Sequence, residues 1–138
     1  SYDRGLLGHS DADALIHAIV DAVIGALGEG DIGRHFPDSD PRLKGISSLV
    51  ILKRAAELAV HRGYAVNNVD STVILETPKL APFIEEMRRN IAKVLGTEAS
   101  RVNVKAKTNE KMGFIGRGEG IAAFAVVTLA RAGADEVA

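Results

Sequence analysis

Near the start of the chain, a few residues have the types and spacing that metal or phosphate chemistry requires. The stretch "HSDADALIH", residues 9–17, sets His9 and His17 on either side of Asp11 and Asp13. Asp13 and His17 stand four residues apart, so on a helix they share a face. Such a pair could hold a divalent cation, or the carboxylate could orient a ligating ring. Zinc takes three or four protein ligands, so one helix face supplies too few and the rest must come from elsewhere. The competing reading is structural. In it Ser10 and Asp13 make a capping box, with Asp in the place of Glu, and His17 is a buried histidine satisfied by hydrogen bonds. The local pattern leaves both readings open.

Two loops add candidates. "DIGRHFPDSDPRLKG", residues 31–45, offers Asp31, Asp38 and Asp40 to a metal or to sugar hydroxyls. The same Asp, Ser and Pro residues are ordinary turn formers. A loop this long in a compact domain is either functional or disordered, and Phe36 favours function. His35 beside it adds little, and His61, at the end of a helix where a cation suits the dipole, reads as structural. "KTNEKMGFIGRGEG", residues 107–120, mixes hydroxyl, amide, acid, base and glycines after a strand. It can present backbone N–H groups and Arg117 to phosphate oxygens. Its glycine spacing matches neither the P-loop nor the dinucleotide fingerprint.

The elements that must carry these residues follow from periodicity and punctuation. The opening "SYDRGLLG" reads as a loop. A largely buried helix, apolar all round, is expected from about Asp11 to Leu27, stopped by Gly28 and Gly30. A second helix is expected over Ser48–Arg62, a strand over 64–77, and a third helix over Pro82–Leu95. A strand over 101–107, the Gly-rich loop over 108–120 and a last strand over 121–132 complete the order, and the tail "GADEVA" is expected to fray. Helix, helix, strand, helix, strand, strand argues for an α+β (mixed α/β) fold, with one mixed sheet and helices on one face.

The chain's 138 residues suit a single domain over 1–138. Seventeen Lys and Arg against 18 Asp and Glu leave a net charge of −1, without the cationic face that nucleic acid or an anionic membrane requires. No nucleic-acid or membrane partner is expected. The absence of cysteine excludes disulfides and thiolate chemistry from this chain. No apolar run approaches the ~20 residues of a membrane span, and no secretory leader is visible, so the cytoplasm is the expected compartment. With aromatics at 4%, the core must rest on Val, Ile, Leu and Ala. A domain of this size buries about two-thirds of its unfolded surface, so oligomerisation would add stability.

Taken together, "GHSDADALIHAIVDAVIGALGEGDIGRHFPDSDPRLKG", "NVDSTVILETPKLAPFIEEMR" and "VNVKAKTNEKMGFIGRGEGIAA" resemble the 2-C-methyl-D-erythritol 2,4-cyclodiphosphate synthases, in order and at the right spacing. The resemblance runs from Gly5 to about Leu129. It implies a homotrimer with active sites between neighbouring subunits, a small-molecule nucleotide-diphosphate substrate and two divalent metals. In the implied reaction, part of non-mevalonate isoprenoid synthesis, the 2-phosphate of 4-diphosphocytidyl-2-C-methyl-D-erythritol 2-phosphate attacks the β-phosphorus and CMP leaves.

Matched by position, the resemblance makes His17 the zinc ligand on the first helix. His9 and Ser10 fall in a mobile loop over the erythritol and phosphate end, with His9 a catalytic stabiliser of the transition state. Asp31, Ile32 and Gly33 correspond to the ribose site, and Phe36, Pro37, Asp38, Ser39 and Asp40 to the loop lining the methylerythritol end. Leu75, Pro78, Lys79, Leu80 and Ala81 correspond to a cytosine pocket read largely by backbone groups. Thr108, the second catalytic residue, bonds the phosphates. Glu110 ligates the Mg or Mn that bridges them, and Lys107 and Asn109 flank that pair. Phe114, Arg117 and Glu119 lie near the trimer axis and substrate pocket, where Arg117 could take an anion.

The chain departs from the pattern in two places. The family opens with a strand bearing Asp-x-His, which supplies two further zinc ligands; no Asp-x-His precedes His9 here, and the family's first strands are missing. The expectation is that the protein has that strand ahead of Ser1. The family also has a run of threonines where this chain reads "KTNE". The missing motif keeps a second reading in view, a non-catalytic trimer that binds cytidine nucleotides or isoprenoid diphosphates. A third, suggested by the His/Asp cluster, is a metal phosphohydrolase.

Overall fold

The computed structural model describes residues 2–77 and 79–132, and the side chains from Ala12 onward. Pro78 and the tail Gly133–Ala138 lie outside the described residues, as do the side chains of His9 and Ser10. The long elements are α1 (Tyr2–Ala26), α3 (Ser48–His61), β1 (Tyr64–Ile74), α4 (Ile84–Leu95), β2 (Val102–Lys107) and β3 (Ala122–Arg131). Two one-turn helices, α2 (Ile32–His35) and α5 (Gly113–Gly116), sit in the stretches expected to be loops.

The sheet follows from the alternation in β1. Val66, Val69, Ser71 and Val73 are buried while the residues between them are partly or fully exposed. A register shift between Val66 and Asn68 explains why the first buried pair is three apart. One inserted residue returns the next side chain to the same face. Ser71, 1% exposed, donates its hydroxyl proton to the Asn103 carbonyl at 2.8 Å, so its burial leaves no polar group unmet. The strand order is β2–β1–β3, with β1 parallel to β2 and antiparallel to β3. A parallel neighbour requires a crossover, and the segment carrying α4 provides it. Arg88 in α4 pins the start of β2, donating from Nε to the Val102 carbonyl at 2.8 Å and from Nη2 to the Ala99 carbonyl at 2.9 Å.

α1 packs on β3, β1 and α3, while α4 packs on β2 and α3, so the helices cover one face. Leu15, Ile19, Ile24, Leu52, Leu80 and Ile91 are its largest fully buried side chains. The opposite face of the sheet carries Phe124 and Val126, 61% and 68% exposed, paired across from Thr72 and Asp70.

Two expectations fail at α1. The helix does not begin at Asp11, because Tyr2–Ser10 is already helical. That stretch contains no proline, and Leu6 and Leu7 are good helix formers, so the chain runs helically through Ser10 and forms no cap there. Nor is α1 buried all round: Leu15, Ile16, Ile19, Val20, Val23 and Ile24 face the core, but His17, Asp21 and Gly25 are exposed.

Candidate functional site

His17 is exposed, which removes its reading as a buried histidine. One oxygen of Asp13, a turn earlier, accepts a 2.5 Å hydrogen bond from the hydroxyl of buried Ser48, joining α1 to the start of α3. His17 instead lies on the wall of two adjoining hollows of about 640 and 480 Å³, which share Phe36, Pro37, Asp38 and Ser39. Asp40 borders the larger, and Ile32 and Gly33 the smaller.

Local hydrogen bonds explain how the 31–40 segment holds its shape. Asp31 is the N-cap of α2, its Oδ1 accepting from the Arg34 N–H at 3.0 Å. Asp21, reaching from α1, accepts from the Ile32 N–H at 2.9 Å. Two carboxylates thus satisfy donors that a helix start leaves bare. His35 Nε2 lies 2.7 Å from the Glu29 carbonyl oxygen, and its ring centroid 6.4 Å from that of Phe36. Glu29 also forms an ion pair with Arg62 at the end of α3. Asp40 caps the turn over Pro41–Leu43. It takes the Arg42 guanidinium at 2.8 and 3.0 Å and the Arg42 N–H at 2.9 Å. Those bonds hold the Asp40 carboxyl below its ordinary value. Of the three loop acids, Asp31 and Asp40 therefore do turn chemistry, and Asp38 stands exposed at the hollow.

A second cleft, about 190 Å³, opens where β1 and β2 end side by side. Leu75, Lys79, Leu80 and Ala81 line one wall, and Ala106, Lys107 and Thr108 the other. The Leu75 N–H donates to the Lys107 carbonyl at 3.0 Å and carries the strand pairing up to this point. Leu80 is buried at its base. The cleft therefore offers an apolar floor, two lysines at its edge and a hydroxyl. Asn109 and Glu110 follow Thr108 in a tight turn in which Glu110 and Lys111 hold φ of 54° and 61°. Non-glycine residues seldom adopt that region without support. Gly116 is required here, since a Cβ would lie 2.1 Å from the Lys111 carbonyl carbon. Phe114 is exposed, and Arg117 is held by Glu119 through two 3.1 Å hydrogen bonds, so its charge is already met.

The fold therefore gathers many of the expected residues into two places, while Asp31, Asn109, Glu110, Phe114 and Arg117 line neither. His17, Ile32, Gly33 and Phe36–Asp40 form one, and Leu75, Lys79–Ala81, Lys107 and Thr108 the other. No lining residue is common to both. Among the described residues no three His, Asp or Glu side chains come together as a metal site, so neither His17 nor Glu110 belongs to a three-donor set there. Sequence reasoning passed over Asp21, and within the run Leu75–Ala81 it gave Glu76 no role of its own. Glu76 lines the second cleft, and its two oxygens accept the N–H groups of Asn109 and Lys111, each at 3.2 Å. Its place in that run and a lone acid at the end of an apolar strand are the signals the sequence gives for it.

These segments recur in known proteins. The 2-C-methyl-D-erythritol 2,4-cyclodiphosphate synthase of Geotalea uraniireducens (strain Rf4) is 60% identical over 130 residues, which are 94% of this chain and 83% of that one. The enzyme of the same name from Geobacillus kaustophilus (strain HTA426) is 61% identical over 128 residues, 93% of this chain and 81% of that one. Among solved structures, the bifunctional IspDF of Campylobacter jejuni superposes with a TM-score of 0.82 at 42% identity, over 86% of this chain and 32% of that longer one. The CDP complex of Plasmodium falciparum IspF gives a TM-score of 0.75 at 36% identity, over 86% of this chain and 70% of that one. A sequence model described as the YgbB family matches residues 1–130. The chain accordingly belongs to the YgbB family, alongside relatives that carry the name 2-C-methyl-D-erythritol 2,4-cyclodiphosphate synthase.

Proposed function

We propose that this chain is a 2-C-methyl-D-erythritol 2,4-cyclodiphosphate synthase, a phosphorus–oxygen lyase acting on 4-diphosphocytidyl-2-C-methyl-D-erythritol 2-phosphate. An oxygen of the 2-phosphate attacks the β-phosphorus, the bond from that phosphorus to the bridging oxygen breaks, and CMP leaves with that oxygen. The reaction needs no covalent intermediate on the protein. It needs the nucleophile held in line and the charge on two phosphoryl groups met by fixed dipoles and cations.

The observation that carries the reading is the second cleft, where the segment matched to a cytosine pocket faces Thr108 and Lys107 across an apolar floor. Leu75, Leu80 and the backbone up to Ala81 would hold the base, with Pro78 between them in sequence. Lys79, Lys107 and the Thr108 hydroxyl would meet the phosphates, flanked by Asn109. The hollow beside His17 suits the polyol end, with Gly33 on its wall and Asp31 next in sequence to Ile32 for ribose hydroxyls, and Phe36–Asp40 along the methylerythritol. His9 and Ser10 would cover that end.

The two places share no lining residue, which supports a site completed between copies: the nucleotide cleft of one subunit against the His17 hollow of its neighbour. The helix-free sheet face, with Phe124 and Val126 exposed, is the surface that a homotrimer would bury. Divalent metals enter the proposal at His17, for zinc, and at Glu110, for Mg or Mn. The described residues complete neither ligand set, so no step is argued through a metal.

Chromatographic assay of CMP tests the reading. Release from the cytidylyl substrate is expected, with no inorganic phosphate from simple phosphomonoesters. Phosphate release would favour a phosphohydrolase, and binding of CDP without CMP release a non-catalytic binder.

A further inference from the structure

The turn after β2 is held by a residue from the opposite wall of the nucleotide cleft. Glu76 follows Leu75 directly, at the end of the paired strands. One of its carboxylate oxygens accepts the Asn109 N–H at 3.2 Å and the other the Lys111 N–H at 3.2 Å. Between those donors lies Glu110, whose own N–H donates to the Thr108 hydroxyl oxygen at 3.4 Å. The Asn109 side-chain amide closes the turn from the far side, donating to the Met112 carbonyl at 2.7 Å. Glu110 and Lys111 sit consecutively in left-handed backbone, at φ of 54° and 61°. Two such residues without a glycine persist only where their surroundings over-determine them. Here that support has two parts, the carboxylate on one side and Gly116 packed against the Lys111 backbone on the other.

We propose that Glu76 is a positioning residue whose carboxylate bridges the N–H groups of Asn109 and Lys111 and thereby aims Thr108 and Glu110 at the phosphates. The proposal rests on the synthase reading and adds to it a link between the wall that would hold the base and the turn that would act on the phosphates. Glu76 touches no reacting atom. Its carboxylate suits the task because both oxygens only accept, and both partners only donate. A glutamine keeps the size but turns one of the two positions into a donor facing a donor.

The test compares E76Q and E76A with the wild-type chain in three measurements: turnover of the cytidylyl substrate, CDP affinity and amide hydrogen exchange. Misplacing a reacting group by about 1 Å costs on the order of 10²-fold in rate. The expected result is a fall in kcat of that order in E76Q, deeper in E76A, with CDP affinity falling by far less. Exchange should quicken at Asn109 and Lys111 in both variants and stay as in wild type along β1 and β2, which separates loss of the clamp from loss of the fold. Wild-type kcat in E76Q, or wild-type protection at those two amides, overturns the proposal. A fall in CDP affinity matching the fall in kcat overturns it too, because Glu76 would then serve the base. The exchange readout needs no activity, so a wild-type chain that released no CMP would count against the synthase reading and leave the clamp to be judged by its amides.

Discussion

One oxygen of Asp31 is committed to the Arg34 N–H, which leaves Oδ2 to meet a ligand. Asp31→Asn keeps an acceptor for the cap and removes the charge. A hydrogen bond to a charged group is worth about 1.5–3 kcal/mol, so CDP affinity should fall roughly tenfold or more while the melting temperature holds. Unchanged affinity by calorimetry would refute the ribose role. His17 is exposed at the hollow and is the proposed zinc ligand, so His17→Ala should abolish turnover while the fold is kept; retained turnover would remove His17 from the site. Asp40 carries a pH dependence. Its carboxyl sits below the ordinary value of 3.8 because Arg42 bonds it through side chain and backbone. A carboxyl lowered in the folded state stabilises the fold above its unfolded value and loses that contribution as pH falls through the folded one. The melting temperatures of wild type and Asp40→Asn should therefore differ at neutral pH and converge below about pH 3.8. A difference that persists in acid would mean that Arg42 is not the cause.

At the scale of elements, the turn after β2 depends on a short helix that periodicity does not reveal. α5 brings Gly116 against the backbone of Lys111, where a Cβ would stand 2.1 Å from the carbonyl carbon. Gly116→Ala should lower the melting temperature, although Gly→Ala in an unstrained helix usually raises stability by about 0.4–1 kcal/mol. A gain would contradict the close approach. The same stretch shows where sequence reading stops. The three strands and the helices α3 and α4 are legible because each buries a face with its own period, as the alternation of Val69, Ser71 and Val73 does. The one-turn helices are not, because four residues carry no period, and their capping partners, Asp21 for α2 for example, come from other elements. The expected start of α1 fails for a related reason: a Ser-x-x-Asp cap signal is local, and nothing local shows that helix already precedes it. The candidate site was legible as segments through the family resemblance. Its division into two separate places was not, since that depends on how α1, β1 and β2 are arranged in space.

For the whole molecule, the proposed homotrimer makes use of both the division of the site and the bare sheet face. Phe124 and Val126 stand exposed side by side on β3, while the interior is closed around Leu15, Ile19, Leu52 and Ile91. Phe124→Asp should therefore leave the core intact and still yield a monomer with little turnover, as sedimentation and CMP release would read together. A monomer with wild-type turnover would mean that one chain completes its own site. Leu52→Ala, by contrast, should cost about 2–5 kcal/mol of stability through the cavity it leaves. The most direct test of the account is phosphorus NMR of the reaction with the cytidylyl substrate. The account predicts CMP and a cyclic diphosphate in equal amounts, the product's two phosphorus atoms coupled to each other. CMP accompanied by a ring-opened phosphate, or substrate left unchanged, would contradict it.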